Sequence, residues 1–235
     1  MVIVPSVDVR GGRASFGGLD PEELARRFVR EGADELHLVD LDAAEHGEPR
    51  NQALLGRIAA ETGVPCRLAG GLSDLGRAQA ALEQGFAGVL FSSAVFGDPA
   101  LLRRIVALGD RGIVEIESRD GALAPRGGDP GLVAAVSGRD SVGAALDAVS
   151  VGVSALYVID LGTEGRLGGP ALALIDRLQV ALARAGQSVA LHTGGGVRDL
   201  ADVAALGRAG VASVVVGRAL AEGRFTIADA KAACA

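Results

Sequence analysis

Asp8 and Glu117 are the residues whose surroundings best suit them to move protons. Asp8 closes the β-branched run VIVPSV, Glu117 closes IVEI, and an arginine follows each carboxylate two positions later, Arg10 and Arg119. Placed at the ends of two strands on opposite sides of a closed sheet, the two groups would face each other across one mouth. There one carboxylate can remove a proton while the other donates one, provided their environments hold their pKa values apart. An acidic residue at a strand end also serves as a helix cap or ion-pair partner, and it is the opposed pairing that favours catalysis. The two arginines would steer a carboxylate, contact a ligand or simply pair at the surface.

Glycine is the second chemical signal. HTGGGVRD at 192–199 sets three glycines between a strand-like run and the next helix, and VVVGRA at 214–219 sets one more. A turn without side chains aims several backbone N–H groups at an anion, and a following helix adds favourable charge. Gly194, Gly195 and Gly196, with Gly217 and Arg218, therefore read as a phosphate seat rather than as tight turns alone. A related seat in the first half would use Gly70 and Gly71 with Ser92 and Ser93, although a serine pair has no fixed charge. A ligand using both seats would be long and phosphorylated at both ends. Asp40 and Asp42, like Asp160 and Glu164, are expected to orient neighbours or hold loops. His192, beside the glycine turn, is a candidate ligand contact, His37 reads as a hydrogen-bonded core residue, and His46 has no evident task. No histidine joins the carboxylates at a spacing diagnostic of a metal site.

These residues need a frame, and the chain supplies eight short β-branched runs separated by helical intervals. The runs are Val2–Val7, Glu35–Leu41, Val64–Leu68, Gly88–Phe91, Ile113–Ile116, Ser154–Ile159, Ser188–Leu191 and Ala212–Val216. Asp20, Pro21 and Glu23 begin a helix over 20–31 as N-cap, first-turn proline and N3 acid. Alternation of this kind predicts an α/β fold, a (β/α)8 TIM barrel, with active residues at the C-terminal ends of the strands. The chain also repeats itself. LHLVDL at 36–41 returns as LYVIDL at 156–161, GGLSDL at 70–75 as GGVRDL at 195–200, and VDVRGG more weakly as IESRDG. Such a pattern predicts two half-barrels with approximate two-fold symmetry.

Length and composition agree. The chain has 235 residues, close to the roughly 250 of a bare barrel, so one domain over 1–235 is expected. Apolar residues make up 49% and charged residues 22%, which argues against disorder. Aromatics are only 3%, so Val, Leu, Ile and Ala must fill the core, as suits a parallel sheet covered on both faces. A net charge of −6, with basic residues dispersed among acidic ones, argues against a nucleic-acid surface. Cys66 and Cys234 suggest no disulfide scaffold, and neither a membrane span nor a signal peptide is evident. A cytoplasmic protein without membrane contact is expected. A monomer is the default, although oligomerisation is not readable from the chain.

VIVPSVDVRGG, ELHLVDLDAAEHGEPRN, IESRDG and HTGGGVRDLADVAALGRAGVASVVVGRALAEGRFT together resemble the histidine-biosynthesis isomerases acting on phosphoribosylformimino-aminoimidazole carboxamide ribotide. The resemblance spans essentially the whole chain. It implies a phosphorylated small-molecule substrate, no metal or organic cofactor, and an Amadori rearrangement of a bis-phosphorylated aminoaldose. Asp8 would be its general base, and Glu117 would stand where the family has a general-acid Asp. Departures gather at the mouth: Glu117 for that Asp, Ile159 for a Thr, Gly128 near the place of a Trp, and a first βα loop short by a dozen or more residues. They keep two alternatives open. One is a weak or inactive paralogue binding a phosphorylated metabolite or a partner protein, and the other an enzyme on another phosphosugar, including phosphoribosylanthranilate.

Overall fold

Residues 1–234 are described by a computed structural model. Its eight barrel strands are β1 (Val2–Arg10), β2 (Leu36–Asp40), β3 (Cys66–Leu72), β4 (Gly88–Phe91), β5 (Gly112–Arg119), β6 (Ala155–Asp160), β7 (Ala190–Gly194) and β8 (Ser213–Val216). Neighbours in sequence pair in parallel, and β8 returns to β1 with Val2 opposite Ser213 and Pro5 opposite Val216. That last pairing closes a (β/α)8 barrel with helices between the strands, as expected.

Side chains alternate across each strand, so every second residue enters the lumen. Outward residues such as Val7, Leu38, Val114 and Val158 pack on helices in the main core. Inward residues Val4, Ala69, Leu90, Ile113, Ala155 and Val215 form a separate, smaller cluster inside the ring. Helices start where local chemistry dictates. Asp20 Oδ1 accepts from the N–H of Glu22 at 2.9 Å, and Pro21 opens the helix Pro21–Arg30.

β1 and β5, like β3 and β7, run past their expected ends, and for the first two the reason bears on the site. β1 and β5 each run on into a two-residue antiparallel ribbon, Val9 and Arg10 pairing with Ala14 and Arg13, and Ser118 and Arg119 with Leu123 and Ala122. The intervening pairs Gly11–Gly12 and Asp120–Gly121 all have positive φ, as a tight two-residue hairpin turn requires. Asp8 and Glu117 thus lie two residues inside their strands rather than at the ends, at equivalent places in the two halves. The Asp8 carbonyl accepts from Ser15 N–H and the Glu117 carbonyl from Ala124 N–H, both at 2.8 Å.

The first of these turns is fixed by a buried polar group that the sequence did not single out. Asn51 Nδ2 donates to Asp40 Oδ1 at 2.7 Å and to Asp42 Oδ2 at 2.8 Å, while its Oδ1 accepts from Gly12 N–H at 2.8 Å. Asp42 also accepts from Gly11 N–H at 2.7 Å, which holds its carboxyl below the usual range. Asp40 caps the helix Leu41–His46 through Ala43 N–H. Asp40 is therefore a loop-holding residue, committed to Asn51 and to the cap. Asn51→Ala removes the side-chain bonds to Asp40, Asp42 and Gly12 from a site that is 3% exposed, leaving the backbone N–H bond to Asp40. The expected loss is about 2–3 kcal/mol in a urea melt, and a loss below about 0.5 kcal/mol would show that the turn is held by other contacts.

Candidate active site

At the C-terminal end of the strands lies a cavity of about 300 Å³, at the lower end of the range for small-ligand sites. Asp8 reaches it from β1. Ser6, one inward step earlier on the same strand, donates to Asp8 Oδ1. Burial pushes the Asp8 carboxyl above its ordinary range, against the hydrogen bond from Ser6 and the charge of Arg126. A carboxylate short of solvent, with an open side toward the cavity, is a competent proton acceptor.

Beside Asp8 is the glycine seat of the second half. Gly195 and Gly196 have φ of 84° and 76°, and both line the cavity with Gly217 and Arg218. Among the described residues, the N–H groups of Gly195, Gly196 and Val197 donate to no protein acceptor. The seat tolerates no side chain at Gly196, whereas Gly217 has room for ordinary contact. A methyl on Gly196 would collide with the Gly169 carbonyl, and one on Gly217 would stand 3.5 Å from Asp8 Oδ2. Arg218 is steadied by the Gly165 carbonyl at 3.0 Å and by Glu222 at 2.6 Å, with its guanidinium 5.9 Å from the centre of the Phe16 ring. Phe16 brings an aromatic wall into the cavity from the short first loop, so shortening has not left the mouth without cover.

The equivalent seat in the first half is closed. Glu117 is 3% exposed, and Ser92 and Ser93 are 1% and 0% exposed. Glu117 Oε2 accepts from Ser93 N–H at 3.1 Å and lies 2.9 and 3.2 Å from the hydroxyls of Ser92 and Ser93. Its Oε1 accepts from Arg126 N–H at 3.1 Å. The hydroxyls and the N–H that were expected to hold a phosphate instead hold the chain's own carboxylate. Glu117 is correspondingly bonded into the β4 turn, while still bordering the cavity that Asp8 lines. Gly70 and Gly71 still border the cavity, the latter packed against Ala43, Ala44 and Gly127.

Other expected positions shift for steric reasons. Gly194 belongs to β7 and does not line the cavity; a methyl there would run into the Tyr157 hydroxyl. His192 points into the lower lumen, where its Nδ1 meets Ser213 Oγ at 2.7 Å and Arg67 Nη1 at 3.4 Å, far from a ligand at the mouth. Arg119 flanks a separate surface groove, and Asp160 shapes its turn by accepting from Gly162 N–H at 2.7 Å. Arg10 lines the cavity rim while paired with Glu45 at 2.6 Å, so ligand contact and surface pairing coincide. Ile159 forms an apolar wall, and Gly128 lies outside the cavity. His37 is packed as expected and stacks on Tyr157 at 5.6 Å, but its buried Nδ1 has no partner. Burial first, then the charge of Arg67, depress its pKa to about 3, so the imidazole stays neutral.

Among the cavity residues that escaped the sequence reading are Phe16, Glu115, Arg126 and Tyr157. Glu115 was within reach, since strand alternation puts it on the same face as Glu117. Arg126 lies in an irregular loop, and only the fold shows it bridging Glu117 at 3.5 Å and Glu164.

A family model described as "Histidine biosynthesis protein" matches residues 2–226. A protein of Ralstonia pickettii named 1-(5-phosphoribosyl)-5-((5-phosphoribosylamino)methylideneamino) imidazole-4-carboxamide isomerase is 32% identical, covering 99% of this chain and 97% of its own. Relatives of the same name from Moorella thermoacetica and Roseiflexus are 31% and 32% identical, each covering 99% of its own length and 100% and 99% of this chain. With a matching model over nearly the whole sequence and relatives aligned end to end, the chain belongs to the histidine biosynthesis protein family.

Proposed function

We propose that the chain is an intramolecular oxidoreductase, an aldose–ketose isomerase that carries out an Amadori rearrangement on the bis-phosphorylated aminoaldose ribotide of histidine biosynthesis. The observation that carries this reading is the adjacency of Asp8 to the open glycine seat. A ribose phosphate docked on Gly195, Gly196, Gly217 and Arg218 would lay its sugar carbons beside that carboxylate. Opening the ring requires a proton on its oxygen as the C1–O bond breaks and the exocyclic nitrogen forms a Schiff base. Asp8 then takes the C2 proton, giving an enolamine that becomes the ketone. Every step is proton transfer at a positioned substrate. The name that these relatives carry supports the same reaction and substrate. On this reading the protein works in the soluble phase, and no helix among its described residues is long and apolar enough to cross a membrane.

A second reading draws on the closed first seat. With Glu117 on Ser92 and Ser93, the site as it stands offers one phosphate position, which suits a singly phosphorylated aminoaldose such as phosphoribosylanthranilate. The ribotide would need Glu117 to swing out, or its distal phosphate to rest on the Gly71 and Arg10 side of the rim.

Purified protein assayed against both aminoaldoses separates these readings. Turnover of the ribotide with the higher kcat/KM supports the first, and turnover of phosphoribosylanthranilate alone supports the second. In either case Asp8→Asn should lower kcat by about 100- to 10,000-fold. A well-folded protein that turns over neither aminoaldose would overturn the isomerase reading and leave a binding role. Gly196→Ala, which forces a side chain into the Gly169 carbonyl at positive φ, should raise KM for any phosphorylated substrate much more than it lowers kcat. An unchanged KM would move the phosphate elsewhere.

A further inference from the structure

The proton donor of this site is not where the family pattern puts it. Glu117 borders the cavity, but its two oxygens are engaged by Ser92, Ser93 and the Arg126 N–H, and the residue is 3% exposed. With both oxygens engaged by the chain's own donors, this carboxyl is not free to turn to a substrate oxygen. One inward step below it on β5 stands Glu115. It is opposite Tyr157 of β6 in register, it lines the cavity, and it is more exposed to it than Glu117 is. Among the described residues, no side chain or backbone group hydrogen-bonds the Glu115 carboxyl. It is an acid on the wall of the reaction chamber with no structural task.

We propose that Glu115 is the general acid of the rearrangement, donating a proton to the ring oxygen while Asp8 acts as base, and that Glu117 is a positioning residue holding the β4 turn. The inference rests on the isomerase reading. Proton bookkeeping closes with these two groups alone. Glu115 gives its proton to the ring oxygen as the C1–O bond breaks, and Asp8 takes the C2 proton. As the enolamine becomes the ketone, Asp8 returns its proton to C1 and Glu115 recovers one from the C2 hydroxyl.

The surroundings keep Glu115 supplied with that proton at neutral pH. Burial raises its pKa to about 8, reinforced by the like charges of Glu117 on the same strand and Glu164 in the loop after β6, and opposed by Arg126. Tyr157 and His37, also facing the cavity, are neutral: burial lifts the phenol well above its usual value and lowers the imidazole. Burial likewise raises Asp8, which faces the same cavity, but hydrogen bonding from Ser6 and the charge of Arg126 pull against the rise. The two carboxyls differ in their partners: Asp8 accepts a hydrogen bond from Ser6, whereas Glu115 has like-charged neighbours and, among the described residues, no donor.

The test compares Glu115→Gln and Glu117→Gln with the wild type across pH 5 to 9, on whichever aminoaldose the wild type turns over. Wild-type kcat/KM should fall along an alkaline limb near pH 8. Glu115→Gln should lose about 100- to 10,000-fold in kcat with that limb abolished, whereas Glu117→Gln should retain the limb. Infrared difference spectra supply a readout independent of turnover: a protonated-carboxyl carbonyl band present at pH 7 should vanish in Glu115→Gln. Folding is checked by melting. Since the native carboxyl holds its proton more tightly than the unfolded one, it costs stability increasingly as pH rises from about 4.5 toward 8. Glu115→Gln should therefore melt higher than wild type at pH 8 and close to it at pH 5. Turnover in Glu115→Gln at the wild-type rate with the limb intact, or the absence of its carboxyl band at pH 7, overturns the acid assignment alone. No turnover of either aminoaldose by the wild type overturns the isomerase reading and the assignment together.

Discussion

The pairing of β8 with β1 is the contact on which the rest depends, because it turns a sheet into a ring and makes every inward side chain share one lumen. Once closed, the ring has limited room, and residue size sorts its contents. Small and branched side chains such as Val4, Ala69, Leu90 and Ala155 fill one layer, while Arg67, His192 and Ser213 hydrogen-bond together in the lower lumen. The acids are left to the C-terminal side. Asp8, Glu115 and Glu117 are brought near one another by alternation on two opposed strands, with no other device needed. Closure also removes both sheet edges, so the irregular segments that carry function can hang from the strand ends without exposing a pairing surface.

Within that frame the two halves have diverged in one respect that governs the chemistry. Their hairpins still match, with positive-φ turns at Gly11–Gly12 and Asp120–Gly121 and with carbonyl bonds from the residues carrying the two carboxylates. The extra methylene of Glu117 lets its carboxylate reach Ser92 and Ser93, which a shorter acid on the same backbone would approach less closely. An anion supplied by the chain then satisfies donors that would otherwise attract one from solution. The second half keeps its donors open at Gly195, Gly196 and Val197. Nominal two-fold symmetry is thereby converted into a polar site, with an occupied end and a vacant end.

Much of this was legible in the chain. Eight β-branched runs and the internal repeat specified the barrel, and the glycine turn at 194–196 located the open seat to within one residue. The misplacements share a cause. His192 and Gly194 are adjacent to the turn in sequence, but the strand continues through them, so one side chain enters the lower lumen and the other position lies under Tyr157. Strand ends judged from β-branched content stop short wherever pairing is extended by a hairpin, as at β1 and β5. Asn51 and Arg126 could not be found by pattern at all, because each lies in an irregular segment and bonds to partners on other elements. The resemblance assigned Glu117 by position, whereas its bonding partners are set by side-chain length, which a motif does not record.

Charge in the lumen then completes the argument. Three carboxylates, Glu115, Glu117 and Glu164, surround a single guanidinium, that of Arg126, and all four carry mutually dependent charges. Arg126 contacts Glu117 and Glu164 directly but not Glu115. The two contacted acids have a cation beside them, and the third is driven toward its neutral form by burial and by its like-charged neighbours. Among the acids around Arg126, one is left without a direct contact to it. The geometry of the arginine decides which.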